Sequence, residues 1–191
     1  AASSPGPRSG SPDAVLVAGG TDLFVQKPEE LLDSPLTFLS QRRELDFVRQ
    51  EDGCLRVGGA VTLEDFRLAA EVQTLFPTLR QDLLLHSSTL LRNRATLTGN
   101  LVNASPIGDM SIILLALGSR LLLQSADGGQ REVPLDAFYQ GYKQFDLRPG
   151  ELIAEVVIPA LPPGGRFNFE KVSNRRILDI AAVNRALRVV L

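Results

Sequence analysis

The sequence predicts an α+β protein of two lobes, in which a small α/β lobe precedes a larger lobe of antiparallel strands and helices. Three observations predict this class. The N-terminal part repeats a strand, turn, helix and strand in order. Residues 44–60 then have the pattern of a β-hairpin, with "EDG" as its turn. From residue 62 the apolar residues recur at helical spacing.

The small lobe is predicted from two short apolar runs. "AVLVAGG" (14–20) is a buried strand closed by two glycines, and "LTFLS" (36–40) is a second strand. Between them, "TDLFVQK" (21–27) forms a helical turn that Thr21 or Asp22 can cap. The order of these elements predicts a small parallel sheet.

The larger lobe is predicted to begin with helices. Residues 62–72 open with a capping box from Thr62 to Asp65. Pro77 starts a second helix through residue 91, because proline suits the first helical position. "RNRATLTGNLVNASPIGD" (92–109) is too polar and too rich in turn formers for a core helix or strand, so it is predicted to be a long loop.

The C-terminal half alternates helices and strands. "MSIILLALG" is a buried helix stopped by Gly118. The remaining predicted elements are a hairpin with an "ADGG" turn (120–135), a short helix (136–142), and strands at 151–159, 167–174 and 181–191. An apolar run such as "RALRVVL" at the end of the chain is expected in a fragment of a longer domain.

The composition and charge of the chain argue against some classes of function. The chain has 191 residues, 44% of them hydrophobic, and a net charge of −2, which argues against a broad nucleic-acid footprint. The longest apolar run, 111–123, is interrupted and too short to span a bilayer. No apolar signal segment is found at the N-terminus, so we expect a cytoplasmic protein.

Cysteine and histidine are nearly absent. Cys54 is the single cysteine, which excludes a disulfide framework and a thiolate-bound zinc or iron–sulfur site within this chain. Its ordinary interpretation is a buried small hydrophobe. His86 is the single histidine. A hydrolase pair of His86 and Ser87 is unfavourable, because neighbouring helical residues point apart. The alternative interpretation of His86 is an ordinary polar or packed residue.

"VAGGTDL" (17–23) is the first candidate binding segment. Two glycines after a buried strand leave backbone N–H groups exposed at a turn, an arrangement that binds phosphate or pyrophosphate. A plain structural turn is the alternative. The segment has neither the GxGxxG nor the Walker A pattern.

The segment 92–109 is the second candidate. Gly99 permits close approach of backbone to a ligand, and Asp109 can accept hydrogen bonds from sugar hydroxyls. The alternative is a loop that satisfies its own hydrogen bonds. The other polar candidates in the segment are Thr96, Thr98, Asn100, Asn103 and Ser105.

Lys171 is a third candidate, in the "FNFEK" strand. It is either a solvated surface lysine or a cation near a phosphate or a flavin edge.

Together, the segments 17–23 and 92–109 resemble the FAD-binding domain, or medium subunit, of the molybdenum hydroxylases, the family of xanthine dehydrogenase, aldehyde oxidase and carbon monoxide dehydrogenase. "ELIAEVVIP" and "FEKVSNRRILDIAAVN" are also similar to that family and stand in the same order. The resemblance covers residues 15–191. It implies the two-lobed FAD-binding fold of the vanillyl-alcohol oxidase and MurB type, with FAD held between the lobes.

The resemblance implies roles for individual residues. The backbone of residues 17–23 would wrap the FAD pyrophosphate from one lobe, and residues 96–100 from the other. Ser105 and Asp109 would meet pyrophosphate or sugar hydroxyls, so Asp109→Ala is expected to weaken FAD retention without unfolding the protein. The full predicted set is Val17, Ala18, Gly19, Gly20, Thr21, Asp22, Leu23, His86, Thr96, Thr98, Gly99, Asn100, Ser105, Asp109, Ile153 and Lys171.

The resemblance also implies domain boundaries and one departure. The expected division is a flexible lead-in (1–13), a small FAD-binding lobe (14–60), a larger FAD-binding lobe (61–163) and the beginning of a C-terminal domain (164–191). The family usually has Gly-Gly-Asn where this chain has Thr98, Gly99 and Asn100. The added side chain of Thr98 is expected to crowd the pyrophosphate or to shift the backbone.

The implied function is electron transfer. Substrate would be oxidised at a molybdopterin subunit, and electrons would pass through [2Fe–2S] clusters on an iron–sulfur subunit to FAD in this chain. NAD⁺ or another acceptor would receive them. No protein acid or base is needed, because the chemistry belongs to the cofactor. A flavin-less structural or assembly paralogue and a self-sufficient flavin oxidase of the same fold are the two alternatives.

Overall fold

The computed structural model describes residues 14–175 and 178–190. The predicted lead-in (1–13) lies outside the described residues. Within the small lobe, the predicted parallel pair is present, with Val15 opposite Leu36 and Val17 opposite Phe38. The elements of this lobe are β1 (Val15–Val17), α1 (Leu23–Gln26), α2 (Pro28–Leu32) and β2 (Leu36–Phe38).

The hairpin that follows belongs to a larger sheet. β3 (Val48–Glu51) and β4 (Cys54–Gly58) pair antiparallel as predicted. β4 also pairs with a later strand, which places Gly58 opposite Glu155. The hairpin therefore lies in the sheet of the larger lobe, although the predicted boundaries group it with residues 14–60. The boundaries themselves stay predictions.

Six α-helices and one 3₁₀ turn (Leu83–Leu85) connect this hairpin to the rest of the sheet. Thr62 caps the first of them as predicted, because its side chain accepts a hydrogen bond from the Asp65 N–H. The Asp65 carboxylate accepts from the Thr62 hydroxyl at 2.6 Å, in place of the reciprocal bond of a capping box. The helix that Thr62 opens bends into two at Ala69, whose backbone is extended. The six are α3 (Leu63–Leu68), α4 (Ala70–Leu75), α5 (Leu79–Asp82), α6 (Thr89–Arg92), α7 (Leu97–Asn103) and α8 (Asp109–Ala116).

Two predictions for this region are wrong. The single helix from Pro77 to residue 91 is broken, because His86 is extended and Ser87 has a left-handed φ of 48°. Ser88 then caps a new helix by accepting from the Leu91 N–H. The predicted loop 92–109 contains α7, because Thr96 caps it and two of its leucines are fully buried. Long-range packing overrides the local turn preference there.

The central sheet has five strands in the order β3-β4-β9-β5-β6. β5 (Arg120–Gln124) and β6 (Gln130–Pro134) form the predicted hairpin. The predicted short helix is α9 (Leu135–Phe138), which ends earlier than expected because β7 (Tyr139–Gly141) pairs with β8 (Gln144–Phe145). β9 (Leu152–Pro159) is the predicted strand at the centre of the sheet.

The last two strands form a separate antiparallel ribbon. The two predicted strands are present as β10 (Gly165–Val172) and β11 (Val183–Val190), and they pair along their whole length. One face of the ribbon packs on α8, where Phe169 is buried and Arg188 donates to the Leu117 carbonyl at 2.9 Å. The ribbon is thereby fixed to the C-terminal end of α8.

Two apolar clusters form the core. The larger one lies within the larger lobe, between the five-stranded sheet and helices α3, α4, α5, α7 and α8. The smaller one joins Leu39 and Leu45 to Ala60, Leu152 and Ala154, with Leu16 and Ala18 packed against it. The small lobe is therefore anchored on the end of β9. Among the described residues, the helices are all too short or too polar to cross a bilayer.

Candidate functional site

A cavity of about 980 Å³ lies between the two lobes. Its volume is near the upper end of the range of about 300 to 1,000 Å³ for small-molecule sites. Val17 is 1% exposed and lies behind the wall. All the other predicted binding residues line this one cavity: Ala18, Gly19, Gly20, Thr21, Asp22, Leu23, His86, Thr96, Thr98, Gly99, Asn100, Ser105, Asp109, Ile153 and Lys171.

The segment from Gly19 to Asp22 forms the wall on the side of the small lobe. Gly20 has a φ of 76°, a conformation that glycine adopts without strain. At Gly19, an added Cβ would lie 2.0 Å from the Arg94 carbonyl oxygen, so only glycine permits this contact between the lobes. Within residues 14–175 and 178–190, no acceptor pairs with the backbone N–H groups of residues 19–22.

The start of α7 forms the facing wall. Thr96 Oγ1 accepts from the Gly99 N–H at 3.0 Å, which fixes the first turn. Thr98 Oγ1 donates to the Gly59 carbonyl at 2.6 Å, and Thr98 is 3% exposed. This hydrogen bond directs the hydroxyl towards the end of β4 and away from the cavity. Gly99 lies opposite the small lobe, since an added Cβ there would meet the Ala18 Cβ at 3.5 Å.

Asp109 is the centre of a buried polar cluster at the start of α8. Its Oδ2 atom accepts from Lys171 Nζ at 2.6 Å and lies 3.3 Å from His86 Nδ1. Its Oδ1 atom accepts from Asn184 Nδ2 at 3.0 Å. Burial acts to raise the pKa of Asp109, but the hydrogen bonds from His86, Lys171 and Asn184 outweigh burial and lower it. Asp109 is therefore an anion whose oxygens are already engaged.

Lys171 is not a solvated surface lysine. Its side chain is 5% exposed, and its ammonium also donates to the Leu85 carbonyl at 3.1 Å. Burial of a lysine requires a compensating partner, which Asp109 supplies. The pair joins the ribbon of β10 and β11 to the cavity wall. A direct contact between Lys171 and a phosphate or flavin stays a prediction.

His86 lies on the cavity wall with a side chain that is 14% exposed. Arg92 holds its backbone by donating from Nη1 to the carbonyls of His86 and Ser87, at 2.9 and 3.3 Å. Glu64 in turn binds Arg92 Nε at 2.6 Å. A hydrogen bond from Arg67, with those from Arg92, lowers the pKa of Glu64 to about 2 against the effect of burial. The buried ion pair of Glu64 and Arg92 thus stabilises the break in the chain between α5 and α6.

The remaining predicted residues have less engaged side chains. The Oδ1 atom of Asn100 is buried and has no hydrogen-bond partner among the described residues. Ser105 Oγ accepts from the Ile107 N–H at 3.4 Å. Ile153 is 3% exposed on β9 and contributes apolar wall. Whether these residues contact a ligand stays a prediction.

The sequence does not indicate several residues of the cavity wall. Gln26 Nε2 donates to Asn103 Oδ1 at 3.2 Å and so joins α1 to α7. Glu151 also lines the cavity, and its hydrogen bond from Arg131 is the main cause that lowers its pKa to about 2. Tertiary packing brings these side chains together, so no spacing in the sequence signals them. The further wall residues between β7 and β9, and after β10, are Lys143, Phe145, Leu147, Leu152, Arg175, Leu178, Asp179, Ile180 and Ala181.

Similarity to known proteins extends over most of the chain. Residues 7–161 match the family described as the FAD binding domain in molybdopterin dehydrogenase. Xanthine dehydrogenase of Emericella nidulans is 30% identical over 191 residues, which cover 94% of this chain and 14% of that protein. The alpha subunit of the 6-hydroxypseudooxynicotine dehydrogenase complex of Paenarthrobacter nicotinovorans is 27% identical, covering 87% of this chain and 56% of that protein.

The fold is similar as well. CO dehydrogenase from Oligotropha carboxidovorans superposes with a TM-score of 0.83 at 27% sequence identity, covering 94% of this chain and 62% of that chain. This chain thus spans less than two thirds of each of these three relatives.

Proposed function

Because the chain belongs to the family of FAD-binding domains of molybdopterin dehydrogenases, a family of oxidoreductase components, we propose that it holds FAD in the cavity between its lobes and relays electrons through it. The family and the mixed helix-and-sheet fold predicted from the sequence are confirmed. Binding of FAD by the particular wall residues is the part that we propose.

One observation supports the proposed position of FAD. Four consecutive backbone N–H groups, at residues 19–22, have no acceptor among the described residues and lie on the cavity wall. Backbone N–H groups that are neither bonded nor fully solvated favour an anion. A pyrophosphate would satisfy them without a lysine or arginine. This supports the role predicted for the segment 17–23.

The glycines of the two facing segments also suit a dinucleotide. Gly19 lets the backbone of the small lobe touch Arg94, and Gly99 lies beside Ala18. A side chain at Gly19 would push the two walls apart, whereas a Cβ at Gly99 would meet the Ala18 Cβ at an ordinary contact distance of 3.5 Å. The contact between Gly19 and Arg94 therefore sets the distance between the two walls. At this distance, polar groups of both walls can reach one extended ligand.

The wall needs no catalytic acid or base for this function. When bound, FAD would supply the redox chemistry. This chain's own residues would bind and orient it: the 19–22 backbone at the anionic part, and the apolar side chains of Leu91, Ile153 and Phe145 along the rings. Apolar side chains are the usual lining of cofactor sites, where they pack against organic rings.

We also propose that the chain works with partners. An iron–sulfur subunit carrying [2Fe–2S] clusters would deliver electrons, and a molybdopterin subunit would oxidise the substrate. Two similarities support this: the family is that of molybdopterin dehydrogenases, and the relative from Paenarthrobacter nicotinovorans is a subunit of a dehydrogenase complex. NAD⁺ or another acceptor would take the electrons from this chain.

Titration of the purified chain with FAD tests the proposal. We expect saturable binding, with a change in flavin fluorescence and absorbance, and FAD as the flavin released on denaturation. FMN, which lacks the adenosine half and the pyrophosphate, should bind more weakly. A folded chain that neither carries flavin nor binds added FAD would contradict the proposal and favour the flavin-less paralogue.

A second measurement separates the proposal from a self-sufficient flavin oxidase. Substrate oxidation should require added iron–sulfur and molybdopterin subunits. Turnover of a substrate by the FAD-loaded chain alone would instead support the oxidase.

A further inference from the structure

The geometry points to a specificity-determining role for His86: Asp109 holds its ring as the Nδ1–H tautomer, so that Nε2 presents a lone pair to an N–H or O–H donor of the bound dinucleotide. This inference rests on the proposed function and adds the chemistry of one subsite to it.

The tautomer follows from the partners of Asp109. Lys171 Nζ and Asn184 Nδ2 donate to its two oxygens, at 2.6 and 3.0 Å, and stabilise the anion. An ionised carboxylate can only accept hydrogen bonds. His86 Nδ1 lies 3.3 Å from Oδ2, and a hydrogen bond between the two places the proton on Nδ1. A neutral imidazole then has its acceptor at Nε2.

The backbone that carries the ring is also fixed in place. The His86 N–H donates to the Leu83 carbonyl at 3.2 Å, and Arg92 grips the His86 carbonyl at 2.9 Å. Among residues 14–175 and 178–190, Nε2 has no hydrogen-bond partner. A pre-organised acceptor on the wall of a ligand cavity confers specificity at small entropic cost.

The charges around His86 disfavour a phosphate at this point. Arg92 is 3% exposed and is engaged by Glu64, and Lys171 is engaged by Asp109 and the Leu85 carbonyl. A phosphate oxygen at this point would face the lone pair of His86 Nε2, in a ring hydrogen-bonded to the Asp109 carboxylate, and would be repelled. A neutral donor fits instead, and FAD offers such donors in both halves: a ring amine and sugar hydroxyls on the adenosine side, and a ring N–H and ribityl hydroxyls on the flavin side.

Nitrogen-15 NMR of the imidazole tests the inference directly. His86 is the only histidine of the chain, so its two ring signals need no assignment by mutagenesis. In mildly alkaline buffer, where imidazole is neutral, we expect Nδ1 protonated and Nε2 unprotonated. Addition of FAD should shift the Nε2 signal as it accepts a hydrogen bond. ADP and FMN, added separately, show which half carries the donor.

Two results would overturn the inference: a predominant Nε2–H tautomer, or binding of FAD that leaves the Nε2 signal unshifted. Neither result removes FAD binding, which the flavin titration measures separately, so the proposed function stands. If no flavin binds at all, the proposed function itself fails.

Variants provide an independent readout. His86→Ala removes the acceptor and should lower FAD affinity about two- to tenfold, the value of one hydrogen bond. His86→Gln places an amide oxygen near the position of Nε2 and should restore most of that affinity. Equal affinities of the Gln and Ala variants would contradict the inference, because loss of packing alone does not distinguish an acceptor from a gap.

Discussion

Lys171 Nζ lies 2.6 Å from Asp109 Oδ2, with both side chains 5% exposed, although 62 residues separate the two in the chain. The pair links the ribbon of β10 and β11 to the start of α8, beside the cavity. It gives the buried lysine its counter-charge and keeps Asp109 ionised.

The pair changes what is expected of an Asp109 variant. Asp109→Ala would leave a buried ammonium without its partner, at a cost of about 3 to 5 kcal/mol in the free energy of unfolding. Loss of stability should therefore accompany loss of FAD, contrary to the simple expectation from sequence. Urea unfolding of the chain without flavin measures it.

The matched control for this change is the double variant Asp109→Leu with Lys171→Met. Replacement of both charges by apolar groups should recover much of the stability. If the single and double variants unfold at the same urea concentration, the ion pair is not the cause of the loss.

Gly19→Ala should separate the two walls of the cavity. The new Cβ would meet the Arg94 carbonyl oxygen at 2.0 Å, so backbone must move. We expect a loss of about 1 to 3 kcal/mol in stability, as for overpacking, and a fall in FAD affinity of tenfold or more. Thermal unfolding and flavin titration measure the two effects.

Gly141→Ala is the control for the glycine change. Its Cβ would approach only the flexible end of the Gln144 side chain, at 3.2 Å. This variant should bind FAD as the parent does. Similar affinity in both variants would mean that the contact between Gly19 and Arg94 does not set the cavity width.

Substitutions of Thr98 test whether its side chain obstructs the cofactor. Because its hydroxyl donates to the Gly59 carbonyl, Thr98→Gly should not tighten FAD binding. Thr98→Val leaves the buried carbonyl unpaired and should cost about 1 to 3 kcal/mol in stability, whereas Thr98→Ser should keep the bond. Tighter FAD binding by the glycine variant would show that the threonine crowds the cofactor.

Low pH should weaken the Glu64–Arg92 ion pair that holds the backbone at His86. The pKa of Glu64 is lowered from 4.5 to about 2 in the folded chain, so its stabilising contribution is complete above its unfolded value and is lost as pH falls towards 2. Glu64→Gln should be less stable than the parent at neutral pH, and the difference should shrink across this range. Melting temperatures measured from pH about 6 to about 2 follow it.

Glu132→Gln is the control for the acid series. Glu132 pairs with Arg120 at 3.3 Å, but both side chains are nearly half exposed, and such surface pairs contribute little. A Glu64→Gln difference that stays constant with pH would contradict the proposed ion-pair origin.

The local elements and the family follow from the amino-acid sequence alone. The N-cap at Thr62, the hairpin turns and the strand at 152–159 arise from side-chain preferences within a few residues, and the structure contains all three. The segments 17–23 and 92–109 located the cavity wall, because each is contiguous in sequence.

Tertiary structure decided the break at His86 and the helix at 97–103. The break depends on Arg92, which a distant Glu64 holds, and the helix depends on burial of Leu97 and Leu101 in the core. It also decided that Lys171 is buried. The physical reason is the same in each case: a buried charge, carbonyl or leucine is stable only beside its partner, and the partner comes from elsewhere in the chain.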